Sequence, residues 1–419
     1  MQEGYKQTEI GIIPEVWDIK HLNDFGDVVS GGTPSTSVKD YWDGNIAWCT
    51  PSDITSTNGK YIFNTERYIT AKGLKNSAAT ILPSNSILLC TRATIGELKL
   101  SGVPMATNQG FKNLHSNGSG NVDYLYYLLQ TKKKDMVELA IGSTFLEISK
   151  KALCSIALQT PSLPEQECIA EALSDVDSLI FSLEKLIAKK KAIKQGTMQE
   201  LLTGKKRLPG FAGERKEITL NDLCYLITKQ TGFDYTNEIK PSLVEIEDTD
   251  TLPFIQNKDF NGKKINTKTD YYVPCEVAVK YLRILLDETC LLISLSGRIG
   301  NVGLFEKHNG LAFIGGAVGI CKFYDERMAE WCMLYLQSSN GQKQIFESQK
   351  SGAQHNLTVE DVRKLVVELP STIEEQTAIV SILSDMDNEI EALEQKLVKT
   401  RQIKQGMMQQ LLTGKIRLV

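Results

Sequence analysis

The alternation of hydrophobic and polar residues predicts two long amphipathic helices, one in the middle of the chain and one at its end. In residues 161–205 the apolar positions recur at alternating intervals of four and three, and residues 369–419 repeat this stepping. Such spacing is typical of the seam of a coiled coil. The seam residues are Ile169, Leu173, Val176, Ile180, Leu183 and Ile187 in the first segment, and Ile379, Leu383, Met386, Ile390, Leu393 and Leu397 in the second.

Both segments carry residues that favour helix ends. Pro164 suits a first helical turn, and Glu165 and Glu167 follow it near the positive end of the helix dipole. Gly204 and Gly414 stand where a helix commonly stops. We expect two helices of about 40 residues, each roughly 60 Å long. We expect them to pair with each other, because two matching seams need partners of matching length; the alternative is that each helix packs only on its own domain.

The two helices belong to a long internal repeat. Lys194 matches Lys404, 210 positions later, and the preceding regions match more faintly, with residues 22–25 resembling residues 220–223 at an offset of 198. Repetition over most of a chain indicates repeated structural units. Antiparallel pairing of the helices would place the two globular units at opposite ends of a spacer. We therefore predict globular domains over residues 1–160 and 206–368, and spacer helices over residues 161–205 and 369–419.

The globular units have the pattern of mixed helix and sheet. Residues 86–91 and 290–295 are short apolar runs typical of buried strands, whereas residues 122–130 and 328–337 have helical spacing. Loops rich in glycine and polar residues lie between them. The predicted fold class is α+β: two α/β domains separated by a long antiparallel two-helix coiled coil, related by a pseudo-two-fold internal repeat.

Composition narrows the functional classes. The chain has 419 residues, of which 42% are hydrophobic and 23% charged, as is usual for a globular protein. The sequence contains no apolar run of membrane-spanning length and no signal-peptide pattern at its start, so we expect a cytoplasmic protein. The formal net charge of −4 argues weakly against a nucleic-acid partner, but a basic surface can be local.

The motifs of several enzyme classes are missing from the sequence. The nine cysteines form no CxxC pair and the four histidines are isolated, so we expect reduced thiols and no metal site. No phosphate-binding GxxxxGK[ST] loop occurs, and neither does the Asn-Pro-Pro-Tyr or Asp-Pro-Pro-Tyr tetrapeptide of adenine methyltransferases. We expect no catalytic residue and no cofactor bound by this chain.

Polar residues on the glycine-rich loops are suited to reading DNA. Base recognition uses arginine, amide and hydroxyl side chains on elements that reach a groove. The alternative for each residue is a side chain that satisfies its own turn, but comparable loops in both units favour function for the set. The candidate DNA-binding residues are Thr33, Ser35, Thr36, Arg92, Thr94, Asn108, Gln109, Ser143 and Thr144 in the first unit, and Lys229, Arg298, Asn301, Gln354, His355 and Asn356 in the second.

Several motifs, taken together, resemble the specificity subunits of type I restriction-modification systems, and the resemblance covers essentially the whole chain. The motifs are the opening segment Gly4–Trp17, the Ser-Gly-Gly-Thr-Pro-Ser loop at 30–35, the Tyr-Trp-x-Gly-x-Ile-x-Trp segment at 41–48, Gly-Ser-x-x-x-x-Ile-Ser at 142–149, Pro-x-x-x-Glu-Gln at 161–166, and Leu-Leu-Thr-Gly-Lys-x-Arg-Leu-Pro-Gly-Phe at 201–211.

The resemblance implies two target-recognition domains, each reading one half of a split site in double-stranded DNA. It also implies two methyltransferase subunits, which use S-adenosylmethionine, and two restriction-translocase subunits, which use ATP and Mg²⁺. This chain would hold none of these cofactors and would catalyse no reaction itself.

The second unit departs from the family pattern at two places. Arg215 stands where Trp17 stands in the first unit, and residues 228–232 (Thr-Lys-Gln-Thr-Gly) replace the Gly-Gly-Thr-Pro loop. The two recognition domains therefore differ. We predict two unlike half-sites rather than a palindrome.

Overall fold

A computed structural model of the chain describes residues 4–142, 146–348 and 356–418. The chain divides into two compact units: unit 1 comprises Met1–Leu186 and Leu393–Val419, and unit 2 comprises Ile187–Ala392. Each unit therefore contains one globular part and portions of both long helices. No helix in the described ranges combines the length and the apolar character that crossing a membrane requires.

Unit 1 has the mixed helix and sheet structure that its sequence pattern predicts. Its strands are β1 (Tyr5–Thr8), β2 (Gly11–Pro14), β3 (Asp18–Lys20), β4 (Gly26–Ser30), β5 (Trp42–Cys49), β6 (Tyr61–Ile62), β7 (Arg67–Ile69), β8 (Ile87–Leu89), β9 (Leu98–Ser101), β10 (Met105–Thr107), β11 (Lys112–Ser116) and β12 (Leu158–Thr160). Its helices are α1 (Pro51–Ser56), α2 (Ala71–Lys75), α3 (Val122–Thr131), α4 (Lys133–Glu138), α5 (Lys150–Cys154) and the first part of α6 (Leu163–Leu202).

Two sheets carry the globular part of unit 1. One has five strands in the order β4-β11-β8-β9-β6, and the other has three in the order β10-β5-β7. Strand β10 runs parallel to β5, whereas β7 runs antiparallel to it. Two small antiparallel pairs, β1-β2 and β12-β3, complete the described strands.

Unit 2 repeats this plan with the same number of strands but with two larger sheets. Its strands are β13 (Lys216–Thr219), β14 (Cys224–Lys229), β15 (Thr251–Ile255), β16 (Phe260–Asn261), β17 (Lys264–Ile265), β18 (Tyr272–Pro274), β19 (Leu285–Leu286), β20 (Cys290–Ser294), β21 (Val302–Phe305), β22 (Ala312–Ile314), β23 (Val318–Phe323) and β24 (Val366–Leu369). Its helices are α7 (Leu220–Leu223), α8 (Gly232–Asp234), α9 (Lys240–Ser242), α10 (Cys275–Ala278), α11 (Arg327–Gln337), α12 (Ser339–Ser348), α13 (Val359–Lys364) and the first part of α14 (Ile373–Leu411).

The sheets of unit 2 have orders that correspond to those of unit 1. A six-stranded sheet has the order β14-β23-β20-β21-β17-β16, and a four-stranded sheet has the order β18-β15-β22-β19. Within the second sheet β22 is parallel to β15 and β18 is antiparallel to it, as β10 and β7 are to β5. The predicted strands at 86–91 and 290–295 are β8 and β20, and the predicted helices at 122–130 and 328–337 are α3 and α11.

The ends of the long helices are part of the globular cores. In unit 1, Ile169 of α6 and Leu412, the residue after α14, are fully buried in one hydrophobic cluster with Trp17 and α3. In unit 2, Leu202 of α6 and Ile379 of α14 are buried in a cluster with α11. Fully burying a side chain of this size contributes roughly 1.5–3 kcal/mol, so the globular parts hold both helices firmly.

The long helices pair with each other, as their seams predict. In each unit, residue numbers rise along α6 while those of the contacted residues fall along α14, so the pairing is antiparallel. Ion pairs between the helices lie beside the seam in both units. They are Asp177–Lys404 (2.7 Å) and Glu184–Arg401 (2.6 Å) in unit 1, and Lys190–Glu389 (2.6 Å) and Lys194–Asp387 (2.6 Å) in unit 2.

All twelve predicted seam residues are at least partly buried. The buried ones are Ile169, Leu173, Leu183, Ile187, Ile379, Leu383 and Ile390, and the partly buried ones are Val176, Ile180, Met386, Leu393 and Leu397. Gly204 and Gly414 end the helices in the left-handed conformation, with φ of 70° and 72°. After the first helix, the Lys206 amide donates to the Glu200 carbonyl (3.1 Å), so the predicted helix stop is confirmed.

Candidate nucleic-acid interface

In unit 1 three loops meet where the parallel strands β5 and β10 end. These strands end at Cys49 and Thr107, which are paired in register. The Asn108 amide donates to the Cys49 carbonyl (3.0 Å), and the Gly32 amide of the loop after β4 donates to the Thr107 carbonyl (2.9 Å). We call residues 31–37, 50–53 and 108–110 the loop site of unit 1.

A glycine permits the close approach of two of these loops. A Cβ atom on Gly31 would lie 1.9 Å from the Asn108 carbonyl oxygen and 2.3 Å from Oγ1 of Thr107. Both distances are far below van der Waals contact, so any other residue at position 31 would separate the loops. The glycine-rich sequence at 30–35 is therefore what lets the polar loop tips lie side by side.

The structure brings together several of the predicted DNA-binding residues of unit 1. The Thr33 hydroxyl donates to Oε1 of Gln109, and Oδ1 of Asn108 accepts from the Gly110 amide (2.8 Å). Arg92 borders them, since its Cβ lies 3.8 Å from where a Cβ on Gly110 would be. For Asn108, the alternative of turn hydrogen bonding thus describes the side-chain oxygen, whereas the side-chain oxygen of Gln109 bonds to a different loop. Their NH₂ groups donate to no residue in the described part of the chain.

The remaining predicted residues of unit 1 are more dispersed. Ser35 and Thr36 are exposed in the loop after β4, and the Ser35 hydroxyl contacts that of Ser37 (2.8 Å). Thr94 lines a separate hollow of about 570 Å³. The two further candidates, Ser143 and Thr144, lie outside the described residues.

Two tryptophans and an arginine that the sequence analysis did not select also belong to this region. Nε1 of Trp42 donates to the Ser35 carbonyl (3.1 Å), and Nε1 of Trp48 donates to the Gly32 carbonyl (2.9 Å). The indole rings meet edge to face with centroids 5.0 Å apart. Cζ of Arg67 lies 3.7 Å from the centroid of Trp42. The tryptophans thus fix the predicted loop on one side and an exposed guanidinium on the other.

Unit 2 has the equivalent loop site. The parallel strands β15 and β22 end at Ile255 and Ile314, and the Gly315 amide donates to the Ile255 carbonyl (2.8 Å). This bond corresponds to the one from Asn108 to Cys49. We call residues 230–234, 256–259 and 315–317 the loop site of unit 2.

Matching capping boxes establish the correspondence. The loop after β5 begins with Thr50, which exchanges hydrogen bonds with Asp53, and the loop after β15 begins with Gln256, which does the same with Asp259. Both pairs span three residues and are separated by 206 positions. The same turn therefore follows the parallel strand in each unit, although its sequence differs.

A second correspondence places Tyr271 where unit 1 has Arg67. The Thr65 hydroxyl donates to the Arg67 carbonyl (2.8 Å), and the Thr269 hydroxyl donates to the Tyr271 carbonyl (2.6 Å). Nζ of Lys258 lies 5.7 Å from the Tyr271 ring centroid. The repeat between Thr-Glu-Arg-Tyr at 65–68 and Thr-Asp-Tyr-Tyr at 269–272 is visible in the sequence, and aligning it would have found this position.

The loop site of unit 2 contains a buried amide without a partner. Gln230 is 2% exposed, and neither Nε2 nor Oε1 forms a hydrogen bond with any residue that the structure describes. It lines a cavity of about 340 Å³ with Lys229, Thr231 and Tyr281, among others. Its Oε1 lies 3.6 Å from where a Cβ on Gly316 would be. An unpartnered buried amide costs about 1–3 kcal/mol.

The predicted residues of unit 2 surround this site less tightly. Lys229 is exposed at the end of β14, and Arg298 is exposed in the turn after β20. The Ser294 amide donates to the Asn301 carbonyl across that turn (2.9 Å). Asn356 is exposed. Gln354 and His355 lie outside the described residues.

The two arginine-bearing turns do not match residue for residue. The Gly96 amide donates to the Cys90 carbonyl (3.0 Å), and the Gly300 amide donates to the Ser294 carbonyl (3.2 Å), an offset of 204 at both ends. At this offset Arg298 corresponds to Thr94, not to Arg92. The similar Ile-Gly sequences thus hold arginines at different places in the turn.

At the helix ends the two units differ at the predicted tryptophan position. Nε1 of Trp17 donates to Oε2 of the buried Glu165 (3.0 Å). Arg215 instead donates to the carbonyls of Leu201 and Leu202 at the end of α6. Burial lowers the pKa of Arg215, which the nearby carboxylates partly oppose. The arginine therefore replaces the tryptophan by capping the helix end with charge.

Side chains that could hold a metal ion are not clustered in the described ranges. No three His, Cys, Asp or Glu side chains lie close enough together there to hold a metal ion. The nine cysteines are free thiols, six of them buried. Burial raises the pKa of Cys90 to about 12, so this thiol stays protonated at neutral pH.

Comparison with known proteins agrees with the motifs. The family profile described as "Type I restriction modification DNA specificity domain" matches residues 14–195 and 214–400. The type I restriction enzyme MjaIX specificity subunit of Methanocaldococcus jannaschii is 41% identical over 183 residues, or 43% of this chain and 42% of that protein, so the match spans less than half of the relative. The MjaVIII specificity subunit of the same organism is 24% identical over 435 residues, covering 100% of this chain and 97% of the relative.

Solved structures share the fold. The S subunit of a type I restriction-modification system from M. genitalium has a TM-score of 0.60 at 16% identity, covering 98% of this chain and 99% of that one. A chain from a structure of complex assembly and conformational transition of the type I R-M system has a TM-score of 0.59 at 15% identity, covering 96% and 99%.

Proposed function

The chain belongs to the family of type I restriction-modification DNA specificity domains, and from this premise we propose that it reads a bipartite, asymmetric site in double-stranded DNA. Unit 1 binds one half-site and unit 2 the other. The observation that carries the proposal is the recurrence of the loop site: in each unit, polar and glycine-rich loops gather at the end of a parallel strand pair. Loops held by a rigid sheet are suited to positioning side chains against base edges.

The differences between the loop sites support two unlike half-sites. In unit 1 the loop tips present Thr33, Asn108 and Gln109, with Arg67 beside them. In unit 2 the corresponding surface has Gln256 and glycines at 315–316. Different donors and acceptors at the same place in the fold select different bases.

The partners in this proposal are two methyltransferase subunits that bind the paired helices, and two restriction-translocase subunits that join them. Large apolar side chains exposed on the helices of unit 1 support a protein partner there. They include Leu179, Phe181 and Leu186 on α6, and Val398 and Ile403 on α14. S-adenosylmethionine, ATP and Mg²⁺ belong to the partners. This chain directs the partner subunits to the DNA site and performs no catalysis itself.

Methylation mapping tests the proposal. The chain is co-expressed with its methyltransferase partner in a host that lacks DNA methylation, and the modified motif is determined by sequencing. We expect one motif with two different half-sites separated by an unread spacer. A palindromic motif would contradict unlike half-sites. Binding to protein partners without any sequence-dependent DNA shift or methylation would instead make the chain a coiled-coil scaffold.

A further inference from the structure

Arg67 lies at the loop site although it is not in one of its three loops. Strand β7 begins at Arg67 and runs antiparallel to β5, with Arg67 paired to Trp48. The first residue of β7 therefore lies beside the last residues of β5, where the loop 50–53 begins. The side chain is exposed at this edge.

The guanidinium of Arg67 is held in place by aromatic rings. Cζ lies 3.7 Å from the centroid of Trp42 and 5.4 Å from that of Trp48. The two tryptophans are only 8% and 4% exposed, and their indole N–H groups are bound to the carbonyls of Ser35 and Gly32. Stacking on an anchored indole restricts the arginine rotamers and sets the plane of the guanidinium.

Stacking leaves the hydrogen-bonding edge of Arg67 available. The guanidinium forms no hydrogen bond or ion pair with another residue in the ranges 4–142, 146–348 and 356–418. Its donors form a planar fork that matches two acceptors side by side, such as O6 and N7 of guanine in the major groove. A phosphate could also accept from this fork, but a fixed plane beside amide and hydroxyl loop tips favours a directional contact to a base.

Unit 2 lacks this arrangement. At the position of Arg67 it has Tyr271, whose ring lies near the Lys258 ammonium. Lys258 in turn is paired with Asp270. A tyrosine hydroxyl cannot form a bidentate contact to guanine, so only unit 1 presents a planar donor fork at this position.

We propose that Arg67 is a specificity-determining residue that reads a guanine in the half-site bound by unit 1. The inference rests on the proposed function, because it assumes that the loop site contacts DNA. Trp42 acts as a positioning residue by holding the guanidinium plane.

Selection from a randomised duplex library tests the proposal. The full chain with its methyltransferase partner is used as wild type, Arg67→Gln, Arg67→Lys and the control Lys75→Gln, which removes an exposed charge from α2 of the same unit. We expect a required guanine in one half-site of the wild type. In Arg67→Gln its preference falls by roughly ten- to a hundredfold and shifts toward adenine, which glutamine can bind in a bidentate manner.

Arg67→Lys keeps the charge and is expected to keep affinity while weakening the preference for guanine. Lys75→Gln leaves the motif unchanged. An Arg67→Gln motif identical to wild type would overturn the proposal. So would uniform weakening across all sequences with a salt-dependence slope reduced by about one, which indicates a phosphate contact. If the wild type selects no motif at all, the proposed function itself fails, and the two failures are thus distinguishable.

Discussion

Units 1 and 2 share a glutamate–arginine pair at the helix ends, apart from the exchange of Trp17 for Arg215, and differ at the loop sites. At each helix end, a buried glutamate that begins one long helix binds an arginine that follows the other: Glu165 with Arg417, and Glu375 with Arg207. The loop sites share strand register and turn geometry but almost none of their side chains. The glutamate–arginine pairs, which recur in both units, stabilise the helix ends. The loop sites, which differ between the units, lie where the fold tolerates substitution. Divergence on a common backbone is how one fold can read two different sequences.

The largest effect is expected at the helix ends. Glu165→Ala and Glu375→Ala each remove a carboxylate that is at most 2% exposed and leave a partly buried arginine without its partner. Breaking such a pair costs about 3 kcal/mol of unfolding free energy. Glu165 also accepts from Trp17, so Glu165→Ala should cost the more of the two. Urea denaturation measures both, and the exposed Glu167→Ala is the control, expected within about 0.5 kcal/mol of wild type. An equal and small loss in all three variants would refute the structural role.

A smaller effect of opposite sign is expected at the loop site of unit 2. Gln230→Leu removes a buried amide that has no partner in the described structure, so we expect the unfolding free energy to rise by about 1 kcal/mol. Gln109→Leu in unit 1 removes an amide bonded to Thr33 at an exposed position and should not stabilise. Thermal unfolding of the two variants compares the loop sites directly. Destabilisation by Gln230→Leu would mean that the amide is satisfied in the folded protein.

The smallest effect is expected in the pairing of the helices. Double-mutant cycles on Lys404–Asp177 in unit 1 and on Lys194–Asp387 in unit 2 should give similar coupling of roughly 0.5–1 kcal/mol, because both pairs are partly shielded, with side chains 17–26% exposed. The exposed pair Lys134–Glu138 should give about zero. Coupling in one unit only would show that the ion pairs do not follow the internal repeat.

The helices and their pairing were predictable because local periodicity specifies them. The four-three spacing of residues such as Leu173 and Leu383 marks a buried stripe whatever lies around it, and Gly204 and Gly414 mark the ends. The loop sites were predictable only in part. Thr33, Asn108 and Gln109 stand out as polar residues near glycines, whereas Gln230 has no local signal and the position of Arg67 is marked only by the short repeat of residues 65–68 at 269–272. Their settings depend on tryptophans and strands that are distant in the chain.

The sequence by itself determined that this protein has two related units, two long antiparallel helices and polar, glycine-rich loops, since repeats and apolar periodicity can be read from the chain without any tertiary contact. Only the tertiary structure decided which polar residues meet. The parallel pairing of β5 with β10, and of β15 with β22, joins strands 56 or more residues apart and brings their loops to one edge. The register of strands so far apart in the chain is set by packing of the whole sheet. It therefore cannot be predicted from any short segment of the sequence.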